Sequence, residues 1–257
     1  MKKNTLLAFG LFFITLLSTA SAEEMETDRP DFTEGTRTIL PNNIQIESGY
    51  TFTRNTKNNS SEHTFPEFLA RVGINELVEL RLFWEGLSLT RLRAGDTTSH
   101  DDGILDSSLG TKIRLIENDN SFLLSTIIET TLPTGERNKS SDEFEPAIKL
   151  LWAYDLNKNT GIAGNLNANF AADDNGSLYF QPEASLAIET PLTETIASYL
   201  EYFAFFPVNQ GIKSEHYLNG GFTYSVTDNL QFDIRLGLGL SKNSDDLFTG
   251  VGFALKL

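Results

Sequence analysis

No cysteine occurs in the 257 residues, which excludes a disulfide framework, a cysteine-ligated metal centre and a lipoprotein anchor. Stability must therefore come from hydrogen bonding and packing. Long apolar runs are also missing. The longest, Leu6 to Leu17, is about 12 residues, short of the ~20 a helix needs to cross hydrocarbon. Positive charge is scarce, with 20 Lys and Arg against 35 Asp and Glu and a formal net charge of -15. That balance excludes nucleic acid as a partner, because phosphates need a basic surface. Only three histidines are present, His63, His100 and His216, and none has a serine and a carboxylate placed with it in the manner of a catalytic triad. No phosphate-binding glycine loop or zinc motif occurs. The expectation is no catalytic residue, no cofactor and no metal centre.

What is present begins with Lys2 and Lys3, the short apolar run, and Ser18-Thr19-Ala20-Ser21-Ala22. This order of basic, apolar and small residues predicts a cleavable export signal over 1–22, cut between Ala22 and Glu23. A polar, irregular segment follows at 23–42. From 43 to 257 the chain alternates apolar and polar residues with period 2, as strands with two unlike faces require. Ile44, Ile46, Tyr50 and Phe52 alternate with Gln45, Glu47, Thr51 and Thr53, and about twelve such segments of roughly ten residues follow one another. Ten residues is the length of a tilted strand crossing a membrane. The expected fold class is all-β, a transmembrane antiparallel up-and-down barrel of about 12 strands.

Short turns at Asn75-Glu76, Asn118-Asp119-Asn120, Asn157-Lys158-Asn159 and Thr227-Asp228-Asn229 alternate with longer connections. Outer-membrane barrels keep short turns in the periplasm. The longer connections, 54–64, 88–105, 133–143, 171–177, 207–216 and 242–246, are therefore expected outside, with the three histidines in them. Alternation alone leaves open which face points inward, since a soluble ligand-binding barrel reverses the sidedness. Three features favour the membrane version. Trp84, Trp152, Tyr154, Tyr202, Phe206 and Tyr224 share the apolar face toward strand ends, as interfacial girdles do. Twelve strands exceed a small ligand-binding barrel. The last strand sets Val251, Phe253, Leu255 and Leu257 on one face, like the terminal strand that barrel-assembly machinery reads. The other partners expected are outer-membrane lipid and lipopolysaccharide.

On this reading the polar face lines a lumen, because ionisable groups at membrane depth must meet protein or water. The expected lining is Glu67, Arg71, Glu79, Arg81, Glu85, Lys112, Arg114, Glu129, Glu145 and Lys149, then Glu183, Glu189 and Glu201, with Asp233 and Arg235 on the penultimate strand. It reads either as a solute path with basic and acidic walls or as salt-bridge ladders filling the interior. Acidic pairs at Asp101-Asp102, Asp173-Asp174 and Asp245-Asp246 are solvated loop charge, or divalent-cation ligands bridging to lipopolysaccharide. The 23–42 segment carries more acid than base, so it is expected to fold into the lumen as a plug. Asp28 and Asp31 would pair Arg71, Arg81, Lys112 and Arg114, Arg29 would meet carboxylates such as Glu79, and Phe32 would wedge against the wall. A disordered periplasmic tail is the alternative.

The run Thr27-Asp28-Arg29-Pro30-Asp31-Phe32-Thr33-Glu34-Gly35 resembles the opening signature of the "MetA-pathway of phenol degradation" family of outer-membrane proteins. Gly73 to Leu82 resembles its first hairpin turn, and Thr131-Leu132-Pro133-Thr134-Gly135 its mid-chain strand end. Leu257 departs from the phenylalanine that usually ends such barrels. The resemblance implies a transporter-like barrel, with aromatic compounds among the solutes. The expected function is an outer-membrane channel or passive transporter for small molecules. Its rivals are a barrel enzyme of lipase or protease type and a structural or adhesion barrel with a blocked lumen.

Overall fold

The computed structural model describes residues 25–117, 121–173, 175–209 and 211–257. The expected export signal and the Asn118-Asp119-Asn120 turn lie outside these. Among the described residues there is no helix. The strands are β1 (Ile44–Asn55), β2 (Ser60–Asn75), β3 (Val78–Trp84), β4 (Leu87–Ala94), β5 (Thr97–Ile104), β6 (Ser107–Glu117) and β7 (Phe122–Leu132). They continue with β8 (Glu145–Asn157), β9 (Thr160–Ala172), β10 (Leu178–Pro191), β11 (Ile196–Phe205), β12 (Glu215–Thr227), β13 (Leu230–Gly239) and β14 (Leu247–Lys256). Neighbours pair antiparallel, and β1 pairs with both β2 and β14, so the sheet closes on itself. Closure leaves no edge in the ring itself, which hydrocarbon would not tolerate. Twelve strands make the ring, as the alternation implies, and β4 and β5 are additional.

Those two correct the expected loop at 88–105. β3 and β4 run along β2 in one register, Trp84 opposite Phe68 and Leu87 opposite Phe65. β6 and β5 continue one another likewise, with Trp84 opposite Ser107 and Leu87 opposite Ile104. The ladder crosses the break through Glu85 N–H to Asp106 O (3.2 Å) and Leu105 N–H to Gly86 O (2.8 Å), and Gly86 supplies the φ of +97° that the irregularity needs. The far end of this hairpin is exposed on both faces, so it carries no period-2 signal. The expected loop at 54–64 is corrected in the same way, because β1 and β2 extend until only residues 56–59 turn. His63, His100 and His216 accordingly lie on strands. His63 bonds Tyr50 (2.8 Å) and His216 bonds Tyr202 (2.6 Å) through ring nitrogens on the outer face.

Sidedness follows from exposure. Along β13, Phe232, Ile234, Leu236 and Leu238 are about half exposed, whereas Gln231 and Asp233 are buried. The fully buried side chains include Arg71, Lys112, Gln45, Glu47 and Glu79. An interior filled by charge beneath an apolar exterior is the reverse of a soluble barrel and matches a hydrocarbon surround. Tyr154, Tyr202, Phe206 and Tyr224 are exposed on that exterior. Near the middle of β13, Leu236→Arg is expected to cost about 2–4 kcal/mol in lipid. Arg235→Leu should cost less, because Glu67 keeps Arg29 at 2.6 Å. Urea unfolding in vesicles measures both, and equal midpoints would reverse the assigned faces.

Candidate functional site

Residues 25–42 make no strand until β1 begins, yet Asp28, Thr33, Thr36, Thr38 and Ile39 are buried. The segment runs inside the ring, where its backbone groups need partners that water would otherwise supply. The wall provides them. Lys112 donates to Gly35 O (2.7 Å), Arg71 to Arg37 O (2.9 Å) and to Glu26 O (3.0 Å), and Ser125 to Thr36 O (2.5 Å). In the other direction, Asp28 N–H and Arg29 N–H donate to Glu47, Ile39 N–H to Glu79, and Phe32 and Thr33 N–H to Glu201.

Charge concentrates around Asp28. Its carboxylate lies 2.6 Å from Arg81, 3.2 Å from Lys112 and 3.8 Å from Arg71. Burial opposes its ionisation, but the three bases outweigh it and hold Asp28 well below the usual carboxylate range. Glu79 shares these bases, 2.9 Å from Arg71 and 3.0 Å from Arg81. Glu47 pairs with Arg71 at 3.3 Å. Glu34 bridges Arg81 (3.0 Å) and Lys149 (3.2 Å), and Lys149 also holds Glu129 at 2.6 Å.

Three of the expected pairings are corrected. Arg29 meets Glu67 (2.6 Å) and Asp233 (3.3 Å), not Glu79. It reaches them over Gly49 and Gly252, which face each other across β1 and β14. A Cβ at either would stand 2.3 Å from the guanidinium, so only glycine leaves this slot open. Asp31 pairs none of the four bases; burial first, then the carboxylates of Glu201 and Glu189, push it well above the usual range. Arg114 bonds Glu117, three residues along and half exposed, and takes no part in the Asp28 cluster. Phe32 stacks on Phe203, with ring centroids 4.6 Å apart.

The other expected lining residues also face inward. Arg235 approaches Glu67 at 3.6 Å and donates to Pro30 O (3.1 Å), and Glu183 accepts from Asn167 (3.0 Å). Glu85 sits at the break between β3 and β4, in the field of Asp106, Glu145, Glu67 and Glu62. Glu34, Glu47, Asp106 and Phe203 were not among the expected site residues. Glu47 and Phe203 follow from the same alternation as their neighbours, whereas Glu34 and Asp106 lie outside the strands and give no periodic signal. The acidic pairs mostly organise loops: Asp101 bonds Lys139 (3.0 Å), Asp173 accepts from Asn175 and Ser177 N–H, and Asp246 bonds Thr56. Among the described residues no group of three or more histidines or carboxylates is placed to hold a metal ion.

A closed twelve-strand ring, apolar outside and charged inside, defines an outer-membrane-type β-barrel. Solved structures share the fold. An outer membrane channel from Pseudomonas putida F1 superposes with a TM-score of 0.61 at 12% identity, covering 86% of this chain and 98% of that one. The NanC porin gives 0.57 at 11% identity, covering 83% and 100%, and the KdgM porin 0.54 at 8%, covering 82% and 98%. Among curated proteins none matches. Residues 27–257 match the family described as "Putative MetA-pathway of phenol degradation", and the chain belongs to that family.

Proposed function

We propose that this protein is a passive outer-membrane channel for small solutes, closed across the periplasmic part of its lumen by residues 25–42. The observation that carries the reading is the threaded segment. It is held by polar contacts inside a closed ring whose lining around it is rich in charge. A lumen built only to fill itself would need no separate chain segment, and salt-bridge ladders between neighbouring strands would suffice. Aromatic compounds fit among the solutes, since family membership points to them and Phe203 and Phe205 face inward beside Phe32. The apolar exterior meets lipid and lipopolysaccharide, and β14 presents the face read by the assembly machinery.

An enzyme in barrel form would need a nucleophile oriented by a base. Among the described residues no serine side chain bonds a histidine ring; His63 and His216 bond tyrosines on the outer face, away from the lumen. This favours the channel. The test is deletion of residues 25–40 from the refolded barrel, read as single-channel conductance in planar bilayers. Conductance should rise severalfold, and an unchanged value would remove the plug.

A further inference from the structure

The lumen bases Arg71, Arg81, Lys112, Lys149 and Arg235 all bond residues of the threaded segment, whereas the external half carries inward carboxylates without such partners. Near the external rim Glu62, Glu85, Asp106, Glu145, Glu183 and Glu215 face inward. Among the described residues none of these six has a basic nitrogen within 4.0 Å; the lumen bases Arg29, Lys149 and Arg235 are taken by Glu67, Asp233, Glu34 and Glu129. What holds five of the six is neutral. Ser88 donates to Glu62, the N–H groups of Thr134 and Gly135 to Asp106, and Ala172 N–H to Glu145. Glu183 accepts from Asn167 and Gln181, and Glu215 from the Tyr217 hydroxyl. Neutral donors fix a carboxylate in place without cancelling its charge.

A second feature stands opposite. On β11, β12 and β14 the inward side chains at the same end are Phe203, Phe205, Tyr217 and Phe248, with Phe203 stacked on Tyr217 at 4.9 Å and Phe205 edge-on to both. In the twelve-strand ring β3 is six places from β11, β6 six from β12, and β8 six from β14. Glu85, Asp106 and Glu145, at the external ends of β3, β6 and β8, thus face the aromatic sector across the lumen. The rings already receive one cation, the Arg235 guanidinium, 5.5 Å from the Phe248 centroid. Aromatic faces attract cations, and a low-dielectric vestibule of one sign concentrates counter-ions.

We infer that the external vestibule selects small organic cations with an aromatic or apolar body, the charge toward the acidic arc and the body against the rings. This rests on the channel reading and narrows its solute class. The test uses the refolded barrel and its 25–40 deletion form in planar bilayers under a KCl gradient. The reversal potential should show cation preference, and Glu85→Gln with Asp106→Asn and Glu145→Gln should bring the permeability ratio toward 1. Glu145→Gln alone, at the rim, should shift it the same way if the triple variant does not fold. Benzyltrimethylammonium added from the external side should block at concentrations at least tenfold below benzoate. Phe205→Ala should weaken that block severalfold, because the benzyl ring loses a stacking partner as well as a cation–π face, and should weaken block by tetramethylammonium, which has no ring to stack, by less. Anion preference, or equal block by the two aromatic ions, would overturn the inference and leave the channel standing. Absence of conductance from both forms would overturn the channel reading and the inference with it.

Discussion

Arg71→Met should lower the stability of the refolded barrel by about 3–5 kcal/mol, the cost of leaving buried charges without their partner. Arg71 is fully buried and lies 2.9 Å from Glu79, 3.3 Å from Glu47 and 3.8 Å from Asp28. Glu79 and Asp28 would keep Arg81 and Lys112. Among the described residues Glu47 pairs with no other base, and the carbonyls of Glu26 and Arg37 would lose a donor. Methionine fills much of the volume, so the loss reads charge more than cavity. Arg114→Met is the control, because its partner Glu117 is half exposed and such pairs contribute about 0–1 kcal/mol. Arg71→Lys should fall between, keeping the charge but not the planar fork that serves Glu79 and two carbonyls. Urea unfolding midpoints in lipid vesicles decide it. Equal midpoints for the Arg71 and Arg114 variants would mean that the cluster contributes no more than a surface pair.

The barrel is legible in the sequence because its physics is local: a strand with lipid on one face and polar groups on the other must alternate, and β13 does so from Gln231 to Gly239. The β4–β5 hairpin is not legible, because toward its far end both faces meet water and nothing enforces a period. Asp28 is readable as an anchor from charge complementarity with Arg71, Arg81 and Lys112, which share the inward face of three neighbouring strands. The partners of Arg29 are not. They depend on the slot made by Gly49 and Gly252, some 200 residues apart in sequence, which exists only once the first and last strands close the ring. Asp31 misleads for a related reason. Its charge suits the bases as well as that of Asp28 does, but the turn after Pro30 carries it to the Glu201 side of the lumen.

That difference gives two aspartates three residues apart opposite effects. Asp28 is held below the usual carboxylate range by Arg71, Lys112 and Arg81 against the pull of burial. Its contribution to docking is therefore present above the ordinary value of about 4 and lost as pH falls through its depressed value. Asp31 is raised, by burial first and then by Glu201 and Glu189. Its contribution is full below the ordinary value and lost as pH rises through the raised one. Docking should thus be tightest between the two, loosening toward acid through Asp28 and toward base through Asp31. Asp28→Asn should weaken docking by about 3 kcal/mol, over 100-fold in the docked-to-free ratio, and abolish the acid limb. Asp31→Asn should tighten docking at neutral pH and abolish the alkaline limb. Since the chain has no cysteine, a nitroxide on Met25→Cys reports segment mobility alone, without relying on conduction. The spectrum should be mobile across the pH range in the Asp28 variant and immobilised through alkaline pH in the Asp31 variant. If both substitutions loosen the segment alike, Asp31 is a docking contact like Asp28, and the assignment of repulsion to the Glu201 side is wrong.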